Sequence, residues 1–225
     1  MKLKQGMALC AVMVLLWTCA AAAQAAVAGV VVKLSGAMSA RGAEGVLKPL
    51  APQSEVASGD TLVTDAQTYA LVRFIDNSEL TLRPNTTVAI DQFSFDGAHP
   101  ESDRAAYTLV KGGLRSITGL LGKRSKEKFL MKTPSATIGI RGTTFLLEYI
   151  AAAGEPAASP GLGAGLHVHV SEGGISLVND AGRFQYDPGQ FGYIKDYATK
   201  PVKMFANPGM RFAPPPDFGG GTVLQ

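Results

Sequence analysis

The chain has 225 residues, of which 46% are hydrophobic and only 17% charged, a balance that excludes general disorder. Its length admits one large β domain or two small ones, and a core of that size needs neither a disulfide nor a metal to hold it. The formal charge of +3 overstates its basic character, since Lys2 and Lys4 belong to a leader and the remainder carries +1. That disfavours a globally basic nucleic-acid binder.

Residues 1–25 read as a secretory signal peptide. Lys2 and Lys4 form a positive start, an apolar stretch runs from Met7 through Trp17, and small residues end in Ala23-Gln24-Ala25, a pattern suited to cleavage after Ala25. Two other readings stay open: an uncleaved anchor, because the apolar stretch is just short of a span, and a lipid on Cys19. Both cysteines, Cys10 and Cys19, lie in this leader. A chain cleaved after Ala25 has no thiol, which removes disulfides, thiolate catalysis and Cys-ligated zinc. The expected location is the periplasm, with secretion or a lipid anchor at Cys19 as the alternative.

From residue 26 the sequence reads as short strands with turn signals roughly every ten residues. Residues 29–34 form a β-branched run. Residues 69–75 alternate, with Ala70, Val72 and Phe74 on one face and Leu71, Arg73 and Ile75 on the other. Asp76-Asn77 supplies a hairpin turn, because Asn tolerates left-handed backbone. The return strand points Leu80 and Leu82 inward and Glu79, Thr81 and Arg83 outward, and Pro84-Asn85 turns the chain again before Val88, Ile90 and Gln92. No window carries a helical spacing. The expected fold class is therefore all-β, with twisted antiparallel sheets forming a sandwich or roll-like single domain over residues 26–199. Glycine-bearing junctions at 35–38, 111–114 and 172–175 each join a strand end to a strand start and mark bulges or corners. Residues 96–104 read as a polar loop, 151–165 as a mobile loop, and 200–225 as a Pro/Gly-rich extended tail that builds no core.

Little in the chain points to catalysis. The histidines are His99, His167 and His169. His167 and His169 share one strand face and, with Glu172, offer a metal site, but two polar residues on an exposed face is the favoured reading. No Gly-x-Ser-x-Gly elbow occurs, and 161–165 lacks the spacing and the Lys-Ser/Thr of a phosphate loop. The expectation is a non-enzyme, without metal or cofactor.

The most uneven charge lies at 111–132, where Lys111, Arg115, Lys123, Arg124, Lys126, Lys128 and Lys132 accompany the single acid Glu127. Residues 119–125 read as a hairpin tip, so four of these charges would project together and draw an anionic glycan, lipid head groups or an acidic envelope protein. The alternative is a solvated tip whose lysines discourage edge pairing. No aromatic interleaves residues 111–128, so nucleic acid gains no support.

Farther on, Thr133-Pro134 leads to Arg141-Gly142-Thr143. Ile138 and Ile140 share one face, whereas Phe145, Leu147 and Tyr149 fall on the opposite parity. A one-residue bulge at Gly142 produces that change, making the motif a structural corner. In this reading Arg141 reaches back to carbonyls freed at the kink, and Thr143 resumes the ladder. An arginine gripping an acidic ligand is the rival.

Five stretches in order give the chain a resemblance to the FecR-domain family of exported bacterial proteins. They are 58–64 (Ser-Gly-Asp-Thr-Leu-Val-Thr), 72–82 (Val-Arg-Phe-Ile-Asp-Asn-Ser-Glu-Leu-Thr-Leu), Val110-Lys111-Gly112-Gly113-Leu114-Arg115, the motif at 133–143, and Val170-Ser171-Glu172-Gly173-Gly174-Ile175 followed by Pro188-Gly189-Gln190. The likeness covers roughly residues 29–195 and implies an exported all-β module. Asn77 stands where the family commonly has Gly. The best-known members are iron-uptake regulators with a cytoplasmic sigma-factor-binding segment and a membrane span before this domain. Only the leader precedes it here, so the resemblance does not imply sigma-factor control. The functional expectation is a non-catalytic periplasmic binding or regulatory module. The alternative is a structural or assembly protein that docks on an envelope complex through its basic hairpin or Pro-rich tail.

Overall fold

A computed structural model describes residues 26–42, 44–151, 159 and 161–218. The leader with both cysteines lies outside them, as does much of the loop expected to be mobile at 151–165. Among the described residues seventeen strands form one continuous hydrogen-bonded network, and the fold is all-β.

The network resolves into two ladders that share one strand. The first runs, in spatial order, β4 (Glu55–Ala57), β1 (Val27–Leu34), β6 (Ala70–Phe74), β7 (Glu79–Leu82), the second half of β9 (Arg104–Ile117), β12 (Thr144–Ile150), β13 (Gly165–Glu172), β16 (Phe191–Ile194) and β17 (Val202–Met204), antiparallel throughout. The second runs β3 (Leu47–Leu50), β2 (Met38–Arg41), β5 (Thr61–Thr64), β8 (Thr87–Ser94), the first half of β9, β10 (Phe129–Lys132), β11 (Thr137–Ile140), β14 (Ile175–Asn179) and β15 (Gly182–Tyr186). One pair departs from the expected antiparallel order: β9 and β10 are parallel.

The two ladders pack face to face, because each strand buries alternate apolar side chains. Ala70, Val72, Phe74, Leu80 and Leu82 turn inward from the first ladder, and Val88, Ile90, Phe93 and Tyr107 from the second. Aromatic rings cross the middle of the core in a chain: Phe74 to Tyr107 at 5.3 Å between centroids, Tyr107 to Phe129 at 5.8 Å, Phe129 to Phe145 at 6.3 Å.

At each glycine junction read from the sequence the chain changes ladder. At 35–37 it leaves β1 for β2, at 111–113 β9 passes from one ladder to the other, and at 172–174 β13 gives way to β14. Residues 141–143 make a fourth such corner, from β11 to β12. Gly142 and Gly173 both have positive φ, at 68° and 71°, and the two corners face each other so closely that a Cβ on Gly173 would strike the Gly142 carbonyl. Only glycine permits that approach.

The C-terminal stretch is the main departure from the sequence reading. Among its described residues, 200–218, β17 is the one strand and a 3₁₀ turn spans Pro216–Phe218, yet Met210, Phe212 and Phe218 are buried. Residues 205–218 cross the outer face of the first ladder as a strap. Met210 and Phe212 pack with Leu146 and Phe191 in a second cluster, and Phe212 and Phe218 each meet Tyr69 edge-on at 6.3 Å. The strap ends beside β1, where Lys33 Nζ lies 3.8 Å from Asp217 Oδ2. Prolines prevent regular structure here, but the apolar residues between them still find a face to cover.

Candidate functional site

The segment expected to be a hairpin tip is instead a helical crossover. β9 ends in the first ladder and β10 begins in the second, parallel to it, so the link must climb from one layer to the other. It does so through a short helix α1 (Leu120–Arg124) and a 3₁₀ turn (Lys126–Lys128). Asp76 anchors the start: its carbonyl accepts from Leu120 N at 2.8 Å, and its carboxylate from Leu121 N at 3.1 Å. Leu121 is buried. Five residues are too few for a helical period to show in sequence.

The crossover disperses the charges that cluster in sequence. Arg124 is engaged by buried Asp103, and also donates to the carbonyls of Gly97 and Asp96 while its guanidinium lies 4.6 Å from the Phe95 ring centre. That hydrogen-bonded guanidinium holds the Asp103 carboxyl below its usual range against the opposing effect of burial. The loop at 96–104, read as polar and exposed, therefore has a buried acid at its end. Lys128 Nζ donates to the Glu101 carbonyl at 3.2 Å, and Lys132 lies 3.8 Å from Asp91. Arg115 sits half-buried on the outer face of the first ladder, its pKa lowered by burial against the raising influence of Glu79 and Glu172. Lys111 lines a separate cleft of about 760 Å³ with Asp65, Thr68 and Asn85. Lys123 and Lys126 remain exposed on the crossover.

Lys126 forms one wall of a groove of about 390 Å³ on the outer face of the second ladder. Its floor comes from β10, β11 and β14 through Leu130, Thr137, Gly139, Ser176 and Val178, and Arg183 on β15 borders it. Arg183 Nη1 donates to Ser176 Oγ at 3.1 Å. The sequence reading missed Arg183, because it lies more than fifty residues from the basic stretch and only the β14–β15 pairing brings it near.

Thr143, and not Arg141, makes the side-chain contacts to the corner's backbone. Thr143 Oγ1 accepts from Arg141 N at 3.1 Å and Gly174 N at 3.3 Å, and donates to the Gly174 carbonyl at 2.6 Å. It ties the two facing corners together. The Arg141 guanidinium reaches no carbonyl; it lies over Gly174 and pairs with Asp187 at 3.0 Å in an exposed contact. At the motif's other end, Thr133 Oγ1 accepts from Ser135 N and Ala136 N and closes the turn around exposed Pro134.

His167 and His169 are not exposed, as the period-two reading has it, but buried at 4% and 6%. Each meets a ring of β16: His167 lies tilted against Tyr193 at 4.9 Å, and His169 stacks on Phe191 at 4.2 Å. His167 Nε2 donates to the Gly163 carbonyl at 2.8 Å, and burial lowers the pKa of His169. His99 stays exposed beside Asp96. Among the described residues no three His, Cys, Asp or Glu side chains gather in a metal-holding group, and no helix is long and apolar enough to cross a membrane.

The same outer face hides a charged pair. Arg83 Nη1 meets Glu148 Oε2 at 2.6 Å with both side chains buried, and Ser159 donates to Glu148 through its hydroxyl at 2.6 Å and its amide at 2.9 Å. Arg211 N of the strap donates in turn to Ser159 Oγ at 2.9 Å. Arg83, expected to point into solvent, does point outward and is covered there. Gly113 leaves the space it crosses, since a Cβ at 113 would lie 2.8 Å from Arg83 Cδ.

No curated protein matches the chain. Two crystal structures of a "putative anti-sigma factor" from Parabacteroides distasonis ATCC 8503 are similar to it, at 13% and 10% identity and a TM-score of 0.48 each. Each comparison covers 64% of this chain, which spans only 58% of the length of those structures. The family described as "FecR protein" matches residues 60–176. That match begins just before β5 and ends within β14, so it takes in the shared strand, the crossover and both facing corners. A match over more than half its length makes this chain a member of the FecR family.

Proposed function

We propose that this chain is an exported regulatory module of the bacterial cell envelope that acts by binding a partner and not by catalysis. The regulatory part rests on the family. The observation that carries the binding part is where the family-matched stretch places its charges: Arg83, Asp103, Arg124 and Glu148 are engaged in holding the fold, and the outward faces carry what is left for recognition. The leader pattern at residues 1–25 supports delivery to the periplasm, with a lipid on Cys19 as the variant form. The rival reading, a structural or assembly protein docking through its basic hairpin or Pro-rich tail, keeps the basic segment as its docking element and is less favoured for the tail, where Met210, Phe212 and Phe218 are buried.

Fractionation of cells expressing the full chain, with intact mass and in-cell photocrosslinking from Leu130 on the second ladder's outer face and from Arg115 on the first's, tests this reading. The expected result is a thiol-free periplasmic species beginning at Ala26 that forms one discrete adduct. Retention in the cytoplasm, or a folded periplasmic protein without any adduct from either outer face, would overturn it.

A further inference from the structure

The two outer faces are treated differently. The first ladder's is crossed by the strap, whereas on the second ladder's Leu130, Thr137, Gly139, Ser176 and Val178 remain partly exposed on the groove floor. The register lays these residues flat: Thr137 pairs with Val178, Gly139 with Ser176, and Arg183 with Val178.

Gly139 is the informative residue. It lies inside β11, and no positive φ is found there. A Cβ added to it would meet nothing closer than the Ser176 carbonyl at 4.0 Å. Neither backbone conformation nor packing asks for glycine, and a glycine inside a strand weakens it. What the missing side chain does provide is a low, bare stretch of floor on which another backbone can approach closely.

The charges around the groove select the occupant. Lys126 and Arg183 border it, Glu127 is the single acid lining it, and Lys123 and Lys128 share the crossover with Glu127. Hydroxyls of Thr137 and Ser176 alternate with apolar Leu130 and Val178 along the floor. A concave floor with no protruding apolar side chain suits an extended chain with carboxylates better than a membrane, which needs side chains that insert. We propose that this groove docks an extended acidic segment of a partner protein, laid over Gly139 with its carboxylates facing Lys126 and Arg183. The proposal rests on the binding reading above and gives that reading a site and a ligand chemistry.

The test uses purified protein from Ala26 onward and a fluorescein-labelled heptapeptide of alternating Glu and Val, with a Lys-Val peptide and phosphatidylglycerol vesicles as the other arms. Anisotropy should show salt-sensitive binding of the Glu-Val peptide alone, and amide shifts should be confined to the groove lining at 126–130, 137–140, 176–178 and 183. Gly139→Val should weaken binding at least tenfold with a Tm no lower than the parent's, and Lys126→Gln with Arg183→Gln should weaken it and flatten the salt dependence. Equal binding by a folded Gly139→Val protein, vesicle binding without peptide binding, or shifts spread over other faces would each overturn the proposal. If Gly139→Val lowers the Tm, Gly139→Ser and the shift map decide the matter by the same criteria. Failure here leaves the cell-fractionation result standing or falling on its own.

Discussion

Arg124 and Asp103 meet in a two-pronged ion pair, Nη2 to Oδ1 at 2.8 Å and Nε to Oδ2 at 2.9 Å, although 21 residues separate them. Ser125 Oγ adds a third bond to the same carboxylate at 2.8 Å. The pair pins the helical crossover to the loop that precedes β9.

Arg124→Gln would take the charged partner from buried Asp103 and leave it the Ser125 hydroxyl and the Asp96 backbone. Such a loss should destabilise the fold more than the loss of an exposed lysine charge does. Lys123→Gln and Lys126→Gln, which touch exposed side chains, should each stay within about 0.5 kcal/mol of the parent. Urea unfolding of the three variants measures the contrast, and equal stabilities would place Arg124 among the solvated charges.

Thr143→Val keeps the shape of the buried side chain and removes the hydroxyl that links two corners. We expect a loss of about 1–3 kcal/mol from the partners left behind. Arg141→Ala breaks only an exposed pair and should cost less than about 1 kcal/mol. Thermal melts that rank the two variants in the opposite order would restore the corner to Arg141.

His169 is buried against Phe191, and burial lowers its pKa from 6.5. The unfolded chain binds the proton at higher pH than the folded one. Its contribution is therefore complete above pH 6.5 and lost as pH falls through the folded value. Melting temperature should drop as pH is lowered from 7 to 5, and His169→Gln should have a shallower slope in scanning calorimetry. Identical slopes would remove this histidine from the account.

Phe212 is 2% exposed and joins the strap to both Tyr69 and the second cluster. Phe212→Ala should cost about 3–5 kcal/mol, as for other buried aromatics. A free tail would give no change. Limited proteolysis at low urea should cleave the variant first near residues 205–218.

The sequence carries the inner faces and turns of this fold, since alternation decides them locally. Phe74, Leu80 and Leu82 are buried as their parity requires, and Asn77 and Asn85 take the positive φ that their turns need, 62° and 57°. What alternation cannot carry is cover supplied from far along the chain. Arg83, His167 and His169 have the parity of an outer face and are buried because Ser159 and the strap close over Arg83 while the Tyr193 and Phe191 rings cover the two histidines. The basic stretch misleads for the same reason: nearness in sequence between Lys111 and Lys132 says nothing once β9 changes ladder at Gly112. The groove drew on Gly139, legible only when the emptiness above it is known.

Because β9 lends one half of itself to each ladder, the molecule has no half that can stand alone. Val88 and Leu109 pair across one side of its kink, Leu147 and Leu114 across the other. Amide protons on the central strands of both ladders should therefore lose protection together in native-state hydrogen exchange, as one opening unit and not as two. The same dependence governs any attempt to divide the chain for fragment complementation: a cut within residues 104–117 deprives both ladders of their common strand, whereas a cut at the exposed turn around Pro134 separates two pieces that each keep whole strands.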